Sequence, residues 1–295
     1  MSRFLQLQGN VFDACFGKRP FMMHHHLSEH AAFLLPRLAE LAGTLPAASV
    51  EYNAGDVPLT LDPARTPRNG LTPEETIRRI VECRSWMVLK NVEQDPAYAA
   101  LLDACLAQVE NMLPGAMGEK EAFVFVSSPG SITPYHMDPE QNFLLQIRGE
   151  KTLRVFADPA VLSQQELERF HCGAHRNLVY RDELDAKSES FTLRPGSGLH
   201  VPVTTPHWVQ NGPEVSVSFS ITFQTPQTLR GAHVHRMNAR LRRLGLNPAG
   251  MGGSPVVEGL KHLASRSGER AARVLKTLSK YSRVGRQAEG VPLRA

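Results

Sequence analysis

An imidazole and a carboxylate stand two residues apart near the middle of this chain, in the run Thr133-Pro-Tyr-His136-Met-Asp138. A second imidazole answers them far downstream, in Pro206-His207-Trp208. Residues two apart on a β-strand project from the same face, so His136 and Asp138 point one way. A third partner so distant in sequence suits another strand of a β-barrel better than the next turn of a helix. Two imidazoles and one carboxylate are the set that holds a non-haem Fe(II) by one face and leaves the other open.

The residues that follow narrow the fold. Gln141-Asn-Phe-Leu-Leu-Gln-Ile147 leads into Arg148-Gly-Glu150 and then Lys151-Thr-Leu-Arg-Val-Phe156, which reads as strand, tight glycine turn, strand. In the second strand Lys151 shares a face with Leu153 and Val155. A lysine facing a barrel interior needs an anionic partner, because an unpaired buried charge is costly. A lysine at a strand end can instead snorkel to water; patterning alone leaves both readings open.

The stretch from Thr133 to Phe156 resembles the JmjC-type, cupin-fold oxygenases that depend on Fe(II) and 2-oxoglutarate. It is most similar to the branch containing the asparaginyl hydroxylase that inhibits hypoxia-inducible factor. The resemblance rests on Thr133, His136, Asp138, Asn142-Phe143, Gln146-Ile147, the Gly149 turn and Lys151. It resumes at Gly198-Leu-His-Val-Pro202 and His207-Trp208, and spans roughly residues 120–225. It implies a mainly β fold, a double-stranded β-helix or jelly roll flanked by N- and C-terminal helices. It implies that His136, Asp138 and His207 bind iron, and that Lys151 and Thr133 hold the distal carboxylate of 2-oxoglutarate. Asn142 and a polar residue of the last barrel strand would lie near the cosubstrate. That residue is often Asn in the family. Here the strand Val215–Phe223 displays Ser216, Ser218, Ser220 and Thr222 on one face; Ser220 aligns best, and a shift of two stays open. Tyr135 and Trp208 could shape the pocket. Another oxygenase design grips the cosubstrate with an arginine on this strand, but no Lys or Arg lies between His207 and Gln227. That favours Lys151.

Three parts are expected: a mixed α/β region over 1–119, a catalytic barrel over 120–229 and a basic helical region over 230–295. Helices are predicted over 28–43, capped by Ser28, and from the capping box Thr72-Pro-Glu-Glu75. Another follows Trp86–Lys90, with Tyr98, Leu101, Leu102, Cys105, Leu106, Val109 and Met112 on one face. Val50–Asn53, Trp86–Lys90 and Ala122–Val126 read as strands. The Pro-rich segment 56–69 reads as a loop and a candidate lid; the loops 53–72 and 157–190 would set the substrate.

No run of about 18 apolar residues suggests a membrane span, and the first residues lack the apolar core of a secretion signal. Cys15, Cys83, Cys105 and Cys172 show no CxxC pattern and read as reduced thiols of a cytoplasmic protein. His24-His25-His26, His171 with His175, and His200 all invite a metal reading. Adjacent histidines point apart in an extended chain, and His200 lacks the Pro-His-Trp context of His207.

From Arg230 to Ala295 there are 14 Lys/Arg against 3 Asp/Glu, a net of +11; the preceding residues carry 19 and 26, a net of −7. The basicity therefore belongs to the C-terminal part. Met237–Leu246 and Leu260–Tyr281 are predicted helices, the second anchored by Leu263, Val274, Leu275 and Leu278. They read as a pair that packs on the acidic body or forms a homodimer seam, in preference to a nucleic-acid surface. The expected activity is a 2-oxoglutarate-dependent hydroxylase of a protein side chain or small metabolite. Two alternatives are a metal-binding cupin of other chemistry and a non-catalytic regulator that works through its basic region.

Overall fold

A computed structural model describes residues 4–113 and 115–268. It contains twelve strands: β1 (Leu5–Gln6), β2 (Phe21–His25), β3 (Val50–Ala54), β4 (Ser85–Lys90), β5 (Gly118–Ser127), β6 (Ile132–His136), β7 (Gln141–Arg148), β8 (Lys151–Val155), β9 (Glu189–Leu193), β10 (Ser197–Val201), β11 (His207–Asn211) and β12 (Ser216–Gln224). The helices are α1 (Gly9–Cys15), α2 (Leu35–Thr44), α3 (Pro73–Arg78), α4 (Pro96–Glu110), α5 (Gln164–His171) and α6 (Pro226–Arg243).

The eight strands β5 to β12 are dealt between two antiparallel sheets, alternately except that the neighbours β8 and β9 pair within one sheet. One takes them in the order β10-β7-β12-β5 and the other in the order β6-β11-β8-β9. That alternation is the expected double-stranded β-helix. The larger sheet is extended by β2 and β1 beyond β10, and by β4 and β3 beyond β5. The turn from β7 to β8 requires Gly149: its φ is +67°, and a Cβ there would sit 2.4 Å from the Val215 carbonyl oxygen.

β12 shows how the sequence divides the molecule. Val217, Phe219, Ile221 and Phe223 alternate with Ser216, Ser218, Ser220 and Thr222, and every one is buried. The apolar set joins the main core with Phe12, Phe33, Leu38, Tyr98 and Leu102, brought by the N-terminal helices and turns. The polar set faces the barrel interior. Ser218 Oγ donates to Gln146 Oε1 (2.6 Å) and Ser220 Oγ to Asn142 Oδ1 (2.8 Å). A second cluster of Leu144, Leu153, Val155, Leu193, Leu199, Val201 and Val209 fills the rest of the barrel.

Local signals account for the starts of several helices. Thr72 Oγ1 accepts from the Glu75 N–H and Glu75 Oε2 from the Thr72 N–H, the reciprocal pair its capping box predicts. The expected helix over 28–43 differs: a single 3-10 turn spans Ala31–Phe33 and α2 begins at Leu35. Pro36 explains the break, because a residue without an N–H belongs in a helix's first turn. α6 begins at Pro226, well before the expected Met237. Thr225 Oγ1 accepts from the Thr228 N–H and Thr228 Oγ1 from the Thr225 N–H, so two threonines form the reciprocal cap usually completed by Glu.

The chain divides into two compact units, Met1–Ser163 with His175–Thr228, and Gln164–Ala174 with Leu229–Ala295. In the second, Glu168 is buried and Arg242 Nε donates to both of its carboxylate oxygens (3.1 and 2.8 Å). Residues 255–268 are helical. The predicted anchors Val274, Leu275 and Leu278 lie outside the described residues. No helix among the described residues is long and apolar enough to cross a membrane.

Candidate metal centre

His136 closes β6 and His207 opens β11, and the two are paired directly in register. Asp138 follows β6 on the turn to β7. Ligand-capable atoms of the three lie within 4.8 Å of one another, and no other such cluster occurs among the described residues. Both Nε2 atoms are 3.7 Å from the same oxygen, Asp138 Oδ2.

The far side of each ring fixes its tautomer. His136 Nδ1 is 2.7 Å from the Pro134 carbonyl, and His207 Nδ1 is 3.0 Å from the Thr205 carbonyl. A carbonyl oxygen only accepts, so each Nδ1 carries the proton and each Nε2 presents a lone pair toward Asp138 Oδ2. This is how metal-binding histidines are oriented. Burial, reinforced by His207, pulls His136 down to about 3, so its ring is neutral at ordinary pH. Burial alone would push the Asp138 carboxyl up. His136, Arg176 and His207 outweigh it and hold Asp138 below its usual range. Arg176 Nη1 reaches Asp138 Oδ1 at 3.5 Å, which leaves Oδ2 to the histidines. Two imidazole nitrogens and one carboxylate oxygen fit a borderline divalent metal such as Fe(II).

The other predicted residues fall into two groups. Lys151 is 4% exposed, on the same inward face as Leu153 and Val155. It does not snorkel, and no carboxylate among the described residues pairs with it. Its Nζ lies 5.9 Å from the centre of the Phe125 ring, and burial pulls its pKa down to about 7. Its register partner Asn211 is buried with Oδ1 unsatisfied. Thr133 stands an odd number of residues before His136, which on a regular strand would put it on the opposite face. An irregularity in the β6–β11 pairing, where His136 matches His207 but Thr133 matches Val209, returns it to the same face. Asn142 and Ser220 are bonded to each other on the inner face of the larger sheet.

Tyr135 and Trp208 belong elsewhere. They pack with Phe156, Val161, Leu184 and Tyr180 on the other face of the smaller sheet. His200 is fully buried among Phe16, Phe21 and Phe143. One of its nitrogens contacts the Asn142 carbonyl and the other accepts from the Gly17 N–H. His25 is likewise used up, on the Gln146 carbonyl and the Leu27 N–H. His171 and His175 do not share a helix face: α5 ends at His171, while His175 lines a cavity beside His136.

That cavity, about 400 Å³, is walled by Thr133, His136 and Arg176, by Trp86, and by Asn53, Leu61 and Arg68 of the Pro-rich segment and the strand before it. The segment predicted as a lid therefore does border the centre. Arg176, Trp86 and Asn211 were not singled out from the sequence. Arg176 and Trp86 reach the site from distant parts of the chain, and no local motif marks any of the three.

Residues 101–230 match the JmjC domain model, a span that contains His136, Asp138, His207 and Lys151. Among curated proteins, lysine-specific demethylase 8 of Xenopus tropicalis is 30% identical over 105 residues, 32% of this chain and 22% of that protein. Its Danio rerio counterpart is 31% identical over 102 residues, 32% and 24% respectively. The matched stretch is thus under a quarter of the length of these relatives. The X-ray structure of E. coli ycfD aligns with a TM-score of 0.51 at 18% identity, covering 90% of this chain and 69% of that one. At that identity the likeness speaks for the fold, which is the cupin-like β-helix of JmjC proteins.

Proposed function

We propose that this chain is an Fe(II)- and 2-oxoglutarate-dependent oxygenase that hydroxylates a C–H bond of a protein side chain or small molecule. The observation that carries this reading is the convergence of His136 Nε2, His207 Nε2 and Asp138 Oδ2 inside a JmjC-type barrel that also buries a lysine with no carboxylate partner among the described residues. When bound, iron would let O₂ act as the oxidant, one oxygen atom going into succinate as 2-oxoglutarate is oxidised with loss of CO₂ and the other into the substrate C–H bond. The chain's part is to hold and orient. His136, Asp138 and His207 would hold the metal, with the Pro134 and Thr205 carbonyls fixing the rings. Arg176 keeps one carboxylate oxygen away from the metal side. Lys151, assisted by Thr133, would receive the distal carboxylate of 2-oxoglutarate, and the Asn142–Ser220 pair would border it.

Within the JmjC proteins, the Asn142-Phe143 and Gly149 positions support kinship with the asparaginyl hydroxylase branch. A cytoplasmic setting and a homodimer built through the C-terminal region belong to the same reading. Lysine 151 separates this oxygenase from a cupin of other chemistry. Lys151→Ala should leave Co(II) bound, seen in its visible absorption, while weakening 2-oxoglutarate about 100-fold, the loss of one buried charge-assisted contact. Unchanged 2-oxoglutarate affinity would remove Lys151 from the site.

A further inference from the structure

The helix over 255–268 is built inside out. Its covered side holds Lys261 (9% exposed) and Ser265 (0%), while its open side holds Val256 (73%), Leu260 (63%) and Leu263 (60%). At 3.6 residues per turn the two sets lie on opposite faces. The polar face is engaged within its own unit. Lys261 Nζ donates to the Ala249 carbonyl (2.8 Å), Glu258 Oε1 accepts from the Gly252 N–H (2.7 Å) and Arg230 Nη2 donates to the Pro255 carbonyl (2.7 Å). Of the eleven exposed large apolar side chains among the described residues, seven fall between Leu244 and Leu263. Single exposed apolar residues are ordinary, but a contiguous set marks a contact surface. From Val256 to Ala264 the open face carries no Lys, Arg, Asp or Glu; the helix turns Glu258 and Lys261 the other way.

We propose that this face is the seam of a homodimer, covered by the same helix of a second copy running antiparallel. The seam gives the homodimer proposed above a surface and a direction, and rests on that reading rather than on the metal centre. An acidic partner would find no cation on the face to pair with. The spacing points instead to self-recognition. Val256, Leu260 and Leu263 precede Ser267 by eleven, seven and four residues. Ala271, Val274 and Leu278, which lie outside the described residues, follow it by four, seven and eleven. A stripe that reads the same in both directions meets its own copy across a two-fold axis, as an isologous contact requires. Leu263 of one copy then meets Ala271 of the other, Leu260 meets Val274, and Val256 meets Leu278. Parallel pairing would set the basic residues Arg270, Arg273, Lys276 and Lys280 of the two copies side by side. Antiparallel pairing sets them against the uncharged start of the stripe. A stable interface takes roughly 800 Å² from each partner, more than three side chains supply, so the stripe is needed as far as Leu278.

The test uses the full chain. Sedimentation equilibrium at micromolar concentration should give twice the chain mass for the wild type. Leu260→Glu, at an exposed position, should keep the circular dichroism and Co(II) binding of the wild type while weakening the dimer at least about 100-fold, because it buries a charge from each copy at the seam. Leu260→Ala, which adds no charge, should weaken it about tenfold. Leu244→Glu, exposed but off the stripe, should leave it unchanged. Both copies are basic around the seam, so the dimer should tighten as salt rises. Ser267→Cys, in a Cys172→Ser background that removes the exposed native thiol, should form a disulfide-linked dimer on mild oxidation, because a residue at the axis meets itself. A monomeric wild type would overturn the homodimer and the seam together. A dimer indifferent to Leu260→Glu and Leu260→Ala would keep the homodimer and reject this seam. A dimer sensitive to both, but with no cross-link through Ser267→Cys, would reject the antiparallel arrangement.

Discussion

The two faces of β12 are built from one nine-residue strand and do opposite work. Outward, Val217, Phe219, Ile221 and Phe223 complete the main core against the N-terminal helices. Inward, Ser216, Ser218, Ser220 and Thr222 are equally buried but spend their hydroxyls on Gln146, Asn142 and the backbone. The same contrast separates the histidines: His200, on the outer face of β10, is packed and saturated, whereas His136 and His207 keep Nε2 in reserve. The difference teaches that stability is concentrated on the outer face of the larger sheet. That frees the inner face to carry groups that folding alone would not select.

Lys151 is the extreme case, and the comparison breaks most readily at the core. Phe219→Ala should cost about 3–5 kcal/mol of unfolding free energy. Its Co(II) site should survive wherever the chain remains folded, as denaturant titration with parallel absorption would show. On the inner face the sign reverses. The folded pKa of Lys151 is lowered to about 7 from 10.5, so between those values the unfolded chain binds more protons. Stability of the metal-free protein should therefore rise with pH across that window, and the burial penalty is full below pH 7. Lys151→Met should raise the melting temperature at pH 7 and below and lose that rise, as calorimetric scans at several pH values would show. In the wild type, 2-oxoglutarate affinity should fall above pH 7, toward about tenfold per unit, because the ammonium is the binding form. The smallest effect expected is that of Ser220→Ala, about 1 kcal/mol for one neutral hydrogen bond. If it matched Phe219→Ala, the division of labour between the faces would be wrong.

Much of this was legible in the sequence because strand periodicity is local. The alternation in β12 and in Lys151–Val155 displays which side chains share a face, and the Gly149 turn fixes where β7 ends. The spacing of His136 and Asp138 was read from the same period, but Asp138 lies past the end of β6, so the turn to β7 and not the strand brings the two together. What was not legible depends on contacts between distant segments. Thr133 reaches the His136 face only through an irregularity in pairing with β11, invisible in a single strand. Arg176 approaches Asp138 because residues 176–178 run alongside β6, where the Arg176 carbonyl accepts from Met137 N–H and Leu178 N–H reaches the Tyr135 carbonyl. Tyr135 and Trp208 carry the right residue types beside the triad, yet the strand period turns both to the opposite face. The break before α2 was written in Pro36, and the start of α6 in Thr225 and Thr228; hydrophobic periodicity outweighed both in the reading.

The central claim is that His136, Asp138 and His207 hold iron beside a cosubstrate gripped by Lys151. The most direct measurement is anaerobic addition of Fe(II) and then 2-oxoglutarate to the metal-free protein, watching for the weak visible charge-transfer band of chelated cosubstrate. The account expects a band that His136→Ala abolishes and that Lys151→Ala shifts to much higher 2-oxoglutarate concentrations. Iron bound tightly with no band at any 2-oxoglutarate concentration would contradict it.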